Sequence, residues 1–362
     1  MEPIQITNCH VHTFTQAHVP RDFPYKWTRL FQRVPILIKG IAWVVRLLGQ
    51  EDIAEKLDRL YRFQQEAQHD EQATVLDNVK KHYPSNTCYV VLPMDMTGIG
   101  YGPVEEDLRT QHDKLHEMAQ AAEPKGSVIP FATVNPLSAG SAQEGLRAIK
   151  ELQFQGLKIY PRMGFAPDHP VLMETVYPEI NARKMPVMTH CSRGGVQGRE
   201  VSDYIADRFT EPKAYRPVMR AFPDMRICLA HFGGQKDWHA YANGEAPRGD
   251  ENWQVQIRDM IGSGDWPQLW TDISYTLFHF DDYIPFLRLF LLDETEAGDR
   301  LRSRVLFGSD FYMTRQEKLS EKAVCFRLRN ALGEEVFRQI AQDNPEVWLR
   351  GTGNAAANSA AG

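Results

Sequence analysis

Four of the chain's twelve histidines fall where a strand-like run of residues stops. IQITNCHVH carries His10 and His12, separated by one residue. PVMTH ends in His190, MRICLAH ends in His231, and RVLFGSD ends in an acid, Asp310. Successive side chains on a strand point to opposite faces, so residues i and i+2 share one. His10 and His12 are therefore expected to face the same way, with Val11 turned from them. Two imidazoles from one strand, a third from across the fold and a carboxylate make a nitrogen-rich set for a divalent metal. An open position on such a metal holds water, and zinc brings the ionisation of that water near pH 7. Taken singly, a strand-end histidine is more often a hydrogen-bonded rim residue than a ligand. Five such residues, all at strand ends, point to a metal centre.

Other residues flank these ends. Lys158 closes GLKIY and, as an ordinary ammonium, would bind an anionic substrate group or a carboxylate. Tyr160 and Arg162 follow it, and Arg193 lies just past His190. Two guanidinium groups near a metal suit a carboxylate-bearing substrate, which arginine grips in a bidentate way. The equal alternative is that they pair with rim Asp or Glu. Tyr275 and His279 follow the run LWTDIS and are candidates for the pocket wall. Gly194, Gly195, Gly233 and Gly234 would allow tight loops there. His69, His112 and His116 sit in charged helical stretches and need no special role.

The elements that must position these groups are legible as eight short apolar runs, at 4–9, 87–93, 127–134, 156–160, 186–190, 225–231, 269–274 and 304–310. Most are continuously apolar rather than alternating, as in parallel strands buried on both faces. Amphipathic stretches at 105–122, 141–153 and 171–183 lie between them, the last with a kink expected at Pro178. Strand–helix alternation of this kind implies βαβ units. Eight strands fit a distorted (β/α)8 barrel, whose active-site rim is where the strands end. A doubly wound open sheet is the alternative, but no GxGxxG follows the first run.

The 362 residues carry 43% apolar content and a net charge of −6, with no basic run suited to nucleic acid. Residues 1–352 read as one domain. The N-terminus does not read as a secretory signal. The most apolar stretch, 34–48, contains Lys39 and Arg46 and is shorter than the roughly 20 residues that span a bilayer. Five cysteines without a close pair suggest neither a zinc ribbon nor a disulfide scaffold. A cytoplasmic chain with no membrane or nucleic-acid partner is the expectation. About 75 residues separate the first two runs, and 18–80 reads as a helical insertion over the rim: a lid, a homodimer arm or a packed decoration. The small, polar segment 353–362 is expected to be disordered.

NCHVHTF, GLKIYPRMGF, PVMTHCSRGG, ICLAHFGG, LWTDIS and LFGSDF together resemble the amidohydrolase superfamily. The likeness is to its amidohydrolase-related branch, which includes aminocarboxymuconate semialdehyde decarboxylase and the resorcylate decarboxylases. The resemblance implies metal ligation by His10, His12 and His190, with Asp310 binding or flanking the metal and taking a proton from water. It implies for His231 a second metal or a general acid–base role beside a single one. In the binuclear relatives a lysine placed like Lys158 is carboxylated and bridges two metals. One ion beside a charged Lys158 is the expectation here, and two ions with carboxylated Lys158 the alternative. Zinc is the expected ion, with manganese the other candidate. The activity implied is metal-dependent hydrolysis of a C–N or C–O bond in a small molecule, whether amide, lactam, lactone or ester. The second implied activity is non-oxidative decarboxylation of an unsaturated or aromatic acid.

Overall fold

The computed structural model describes residues 3–23, 36–47, 50–51, 53–54, 57–58, 61, 69–245, 251–275, 280–311 and 320–351. His279 and the 353–362 tail lie outside them. Eight strands form one sheet in chain order: β1 Thr7–Val11, β2 Cys88–Val91, β3 Val128–Thr133, β4 Gly156–Ile159, β5 Pro186–Thr189, β6 Arg226–Leu229, β7 Leu269–Asp272 and β8 Val305–Leu306. All adjacent pairs are parallel. Bonds from Cys9 N to Phe307 O (2.9 Å) and from Asp310 N to His10 O (2.8 Å) bring the β8 end beside β1, making a (β/α)8 barrel.

Continuous apolar runs occur because both strand faces are covered. Cys9, Val90, Ile129, Phe131, Met188, Cys228, Trp270 and Leu306 fill the interior, plugged by Trp348 from the last helix, Asn344–Arg350. Val91, Leu157, Val187, Ile227, Leu269 and Val305 pack outward against the helices. Gly156 belongs to the interior packing, since a Cβ there would lie 2.4 Å from the Phe131 ring.

Among the described residues of the expected insertion are the helices Ile36–Leu47 and Gln72–Lys80. The second, which leads into β2, buries Val75, Leu76 and Val79 in the main core. Pro178 stands in the first turn of Tyr177–Ala182, and Leu172–Val176 before it winds as a wider π-turn. No helix among the described residues is long and apolar enough to cross a membrane.

His112, on the charged helix Leu108–Ala121, is buried. Its Nε2 accepts from Thr133 N–H of β3 (3.2 Å), and its Nδ1 faces Glu144 Oε1 (3.0 Å). Burial lowers the pKa of His112 and keeps it neutral, as an accepting Nε2 requires. Burial alone would raise Glu144, but hydrogen bonds from His112 and Arg147 hold it down to about 2. This contribution is therefore present at neutral pH and fades as pH falls from the ordinary carboxylate range toward 2. His112→Ala orphans a buried N–H and is expected to cost about 2 kcal/mol. The check is a lower urea midpoint at pH 7, with a smaller difference from the parent protein at pH 3.

Candidate metal centre

The site lies at the C-terminal end of the barrel, and the local backbone is unusual there. Pairing of β1 with β2 is irregular between Asn8 and Val11. Cys9 fills the interior below this break, while Val11 joins the outer core above it. The break shifts the strand's phase by one residue, so His10 and His12 follow Cys9 inward. The Asn8 amide clamps this segment to the end of β8: its Oδ1 accepts from Ser309 N (3.0 Å) and its Nδ2 donates to Ser309 Oγ (2.8 Å). Gly308 permits the approach, since a Cβ there would sit 2.8 Å from His10 Cβ. His231 (φ 67°), Tyr275 (φ 58°) and Asp310 (φ 54°) all occupy the left-handed region without being glycine. Each costs about 1–3 kcal/mol, a strain that marks functional loops when it clusters.

Each histidine ring has one nitrogen committed to an acceptor. His10 Nδ1 faces Asp272 Oδ2 at 2.8 Å, and His12 Nδ1 faces the Leu92 carbonyl at 2.7 Å. His190 Nε2 faces the Gly194 carbonyl at 3.0 Å. His231 Nδ1 faces the Ser274 carbonyl at 3.3 Å and Ser274 Oγ at 2.9 Å, and that hydroxyl donates its own hydrogen to Asp272. A carbonyl or carboxylate cannot donate, so these four nitrogens carry the ring protons. Desolvation, with Lys158 adding to it, pushes all four pKa values down, so the rings are neutral. The remaining nitrogens carry no ring proton, and they face one another: His10 Nε2 to His12 Nε2 at 3.3 Å, and His231 Nε2 to His190 Nδ1 at 3.2 Å. No proton is available to bridge either pair.

Lone pairs opposed at this distance repel unless a cation gathers them. Two imidazole nitrogens each about 2.05 Å from one tetrahedral ion would stand ~3.3 Å apart, so the donor spacing fits a metal. One ligand atom each from His10, His231 and Asp310 lie within 4.8 Å of one another, and His12 Nε2 is 4.0 Å from Asp310 Oδ1. The five sequence-derived groups are thus brought together, and His231 stands inside the cluster. Lys158, the third residue of β4, is buried with no hydrogen-bond partner on Nζ. Desolvation lowers its pKa and raises that of Asp310, while Asp272 and Asp310 oppose the shift at Lys158.

A cavity of about 340 Å3 opens above the cluster, lined by His12, His190, His231 and Asp310 together with Phe14, Phe23, Met94, Arg193, Lys236 and Tyr275. Tyr160 also lines it and stacks on His190, ring centres 4.2 Å apart. Gly195 (φ 106°) leaves room for that pair, since a Cβ there would meet Tyr160 Oη at 2.3 Å. Arg193 packs 4.3 Å from the Trp253 ring centre and donates to Asp237 at 2.8 Å. Tyr275 donates to Gln235 Oε1 at 3.2 Å. Arg162 is outside the cavity lining, donating to Asp207 (2.5 Å), Asp203 and Gln197 (both 2.9 Å). For Arg162, pairing with rim acids is what the structure shows.

Asp272 is the residue that sequence reasoning passed over. Fully buried at the end of β7, it receives His10 Nδ1–H on one oxygen and the N–H groups of His231 (2.8 Å) and Ser274 (3.0 Å) on the other. The signal was present: an acid ends LWTD as one ends LFGSD. Its role is to fix the His10 tautomer and hold the strained His231 backbone, so Asp272→Asn is expected to weaken divalent-cation affinity about 10–100-fold. Competition with a chromogenic chelator measures this, and unchanged affinity would remove Asp272 from the site.

A family model described as amidohydrolase matches residues 91–351, a span that includes Lys158, His190, His231, Asp272 and Asp310 but begins after His10 and His12. No curated protein sequence matches. Among solved structures, the 5-carboxyvanillate decarboxylase of Sphingomonas paucimobilis superposes with a TM-score of 0.53 at 16% identity, over 96% of this chain and 99% of that one. An uncharacterised TIM-barrel protein of Bordetella bronchiseptica gives 0.52 at 16% identity, over 96% and 98%. Amidohydrolase 2 of Bifidobacterium longum subsp. infantis gives 0.50 at 14%, over 96% and 99%. At these identities the likeness establishes the fold.

Proposed function

The chain belongs to the amidohydrolase family, and on that premise we propose that it is a metal-dependent hydrolase acting on a C–N or C–O bond of a small molecule. The observation that carries this reading is the pair of proton-free contacts between imidazole nitrogens, His10 to His12 and His190 to His231. Zinc, or manganese in its place, would be held by His10, His12, His190, His231 and Asp310. One ion is the reading adopted; a second ion with a carboxylated Lys158 is its alternative. The metal would supply a Lewis acid for a substrate oxygen and ionise water near neutral pH.

The protein's own groups complete the chemistry. Asp310 takes the proton from attacking water and returns it to the departing nitrogen or oxygen. Lys158 is not in the cavity lining, but its buried Nζ, close enough to interact with Asp310, would add positive charge beneath the reacting centre. Arg193 lines the cavity, but its guanidinium is tied to Asp237, so it shapes the wall and adds charge to it. Phe14, Phe23 and Met94 give an apolar flank that excludes water from the reacting centre.

A second reading, non-oxidative decarboxylation, is favoured by one feature. A buried lysine without a hydrogen-bond partner beside the metal cluster would hold a substrate carboxylate equally well. Turnover of a panel of lactones, amides, esters and unsaturated or aromatic acids in 18O-enriched water separates the two. Hydrolysis incorporates 18O into an acid product without releasing carbon dioxide. Carbon dioxide release without incorporation would establish the lyase, and turnover independent of added zinc or manganese would overturn both.

A further inference from the structure

The opposite end of the barrel carries a second cavity, away from the metal cluster. A cavity of about 710 Å3 opens at the N-terminal ends of β5, β6 and β8, where Arg183, Lys184, Arg226, Arg304 and Arg350 meet a single lining acid, Asp224. Two of these cations are already matched: Arg183 donates to Glu179 at 2.6 Å, and Arg350 lies 3.1 Å from Glu346. Arg226 and Arg304 are not. Arg226 donates to the backbone carbonyls of Trp348 and Leu349, the latter at 3.0 Å. Arg304 donates to the carbonyls of Pro267 (3.2 Å) and Ser303 (3.3 Å), with its guanidinium 4.6 Å from the Trp270 ring centre. Carbonyls satisfy hydrogen-bond donors but leave the net charge uncompensated. Partial burial disfavours the charged form of both groups, lowering both pKa values. Such a cost is normally met by a counter-charge, and among the described residues no carboxylate pairs with either.

We propose that this basic cup binds a small phosphate-bearing molecule. Several convergent cations against one acid call for an anion with more than one charge, and guanidinium groups match phosphate oxygens in a bidentate way. The volume suits a ligand of small-molecule size. A nucleic-acid chain fits poorly, because the molecule as a whole carries a net charge of −6. The barrel's bottom face ordinarily serves stability, and an anion here would tie the ends of β6 and β8 to the C-terminal helix whose carbonyls Arg226 caps. Ligand binding would therefore raise the melting temperature.

Calorimetric titration of the intact protein with inorganic pyrophosphate, at constant ionic strength, tests the site. A single saturable event is expected. It should weaken about tenfold or more in both Lys184→Gln and Arg304→Gln, and persist in His190→Ala, which alters only the opposite rim. Lys184 is exposed, so its variant is expected to remain folded. No saturable binding, unchanged affinity in Lys184→Gln, or loss of binding in His190→Ala would each overturn the proposal. The last result would place the anion at the metal centre.

Discussion

Asp310→Asn is expected to reduce turnover by about 10³-fold while leaving the fold intact. The amide is nearly isosteric with the carboxylate, and the backbone bond that seats the residue, Asp310 N to His10 O at 2.8 Å, does not involve the side chain. The left-handed backbone of residue 310 is tolerated by asparagine at least as well as by aspartate. What disappears is a group able to take a proton from water and give it back, together with one negative charge facing the cation. Steady-state turnover with the best substrate of the panel, beside metal analysis, separates the two losses. If the chemistry is proton transfer through this carboxyl, turnover collapses even at saturating zinc. Full activity restored by excess zinc would reduce Asp310 to a ligand.

His190→Ala is expected to weaken divalent-cation affinity at least 10²-fold and to abolish detectable turnover at trace metal, by removing a donor from the cluster. The substitution strips the bare Nδ1 that opposes His231 Nε2 at 3.2 Å and also the ring against which Tyr160 stacks. Loss of the stack and of the bond to the Gly194 carbonyl costs about 1–2 kcal/mol, well short of unfolding a barrel of this size. Equilibrium dialysis against zinc, beside circular dichroism of the variant, reads both effects. Retained metal stoichiometry at parental affinity would exclude His190 from ligation.

The barrel was legible because continuous apolar runs have few uses other than parallel strands covered on both faces. The rim histidines were legible because polar groups stand out where such runs stop. Two kinds of feature were not. The phase of β1 depends on an irregularity between Asn8 and Val11 that no alternation pattern displays. Without it, a strand that points Cys9 inward would turn His10 and His12 toward the helices. Partnerships were equally hidden: Asp272 is chosen by His10 from across the barrel closure, 262 residues away in the chain. Likewise, whether Arg162 meets substrate or Asp207 depends on where the helix Asp203–Thr210 folds back. Residue types and strand ends locate a rim; the hydrogen-bond partner that fixes each ring's tautomer appears only when distant strands become neighbours.

In this reading, the four imidazoles offer unprotonated nitrogens to a cation shared with Asp310. Anomalous diffraction at the zinc edge, from crystals of the protein grown with zinc, addresses it directly. A strong peak is expected within bonding distance of nitrogens from at least His10 and His231 and of a carboxyl oxygen of Asp310. Protein that takes up no zinc, or whose anomalous peak lies away from this rim, would contradict it.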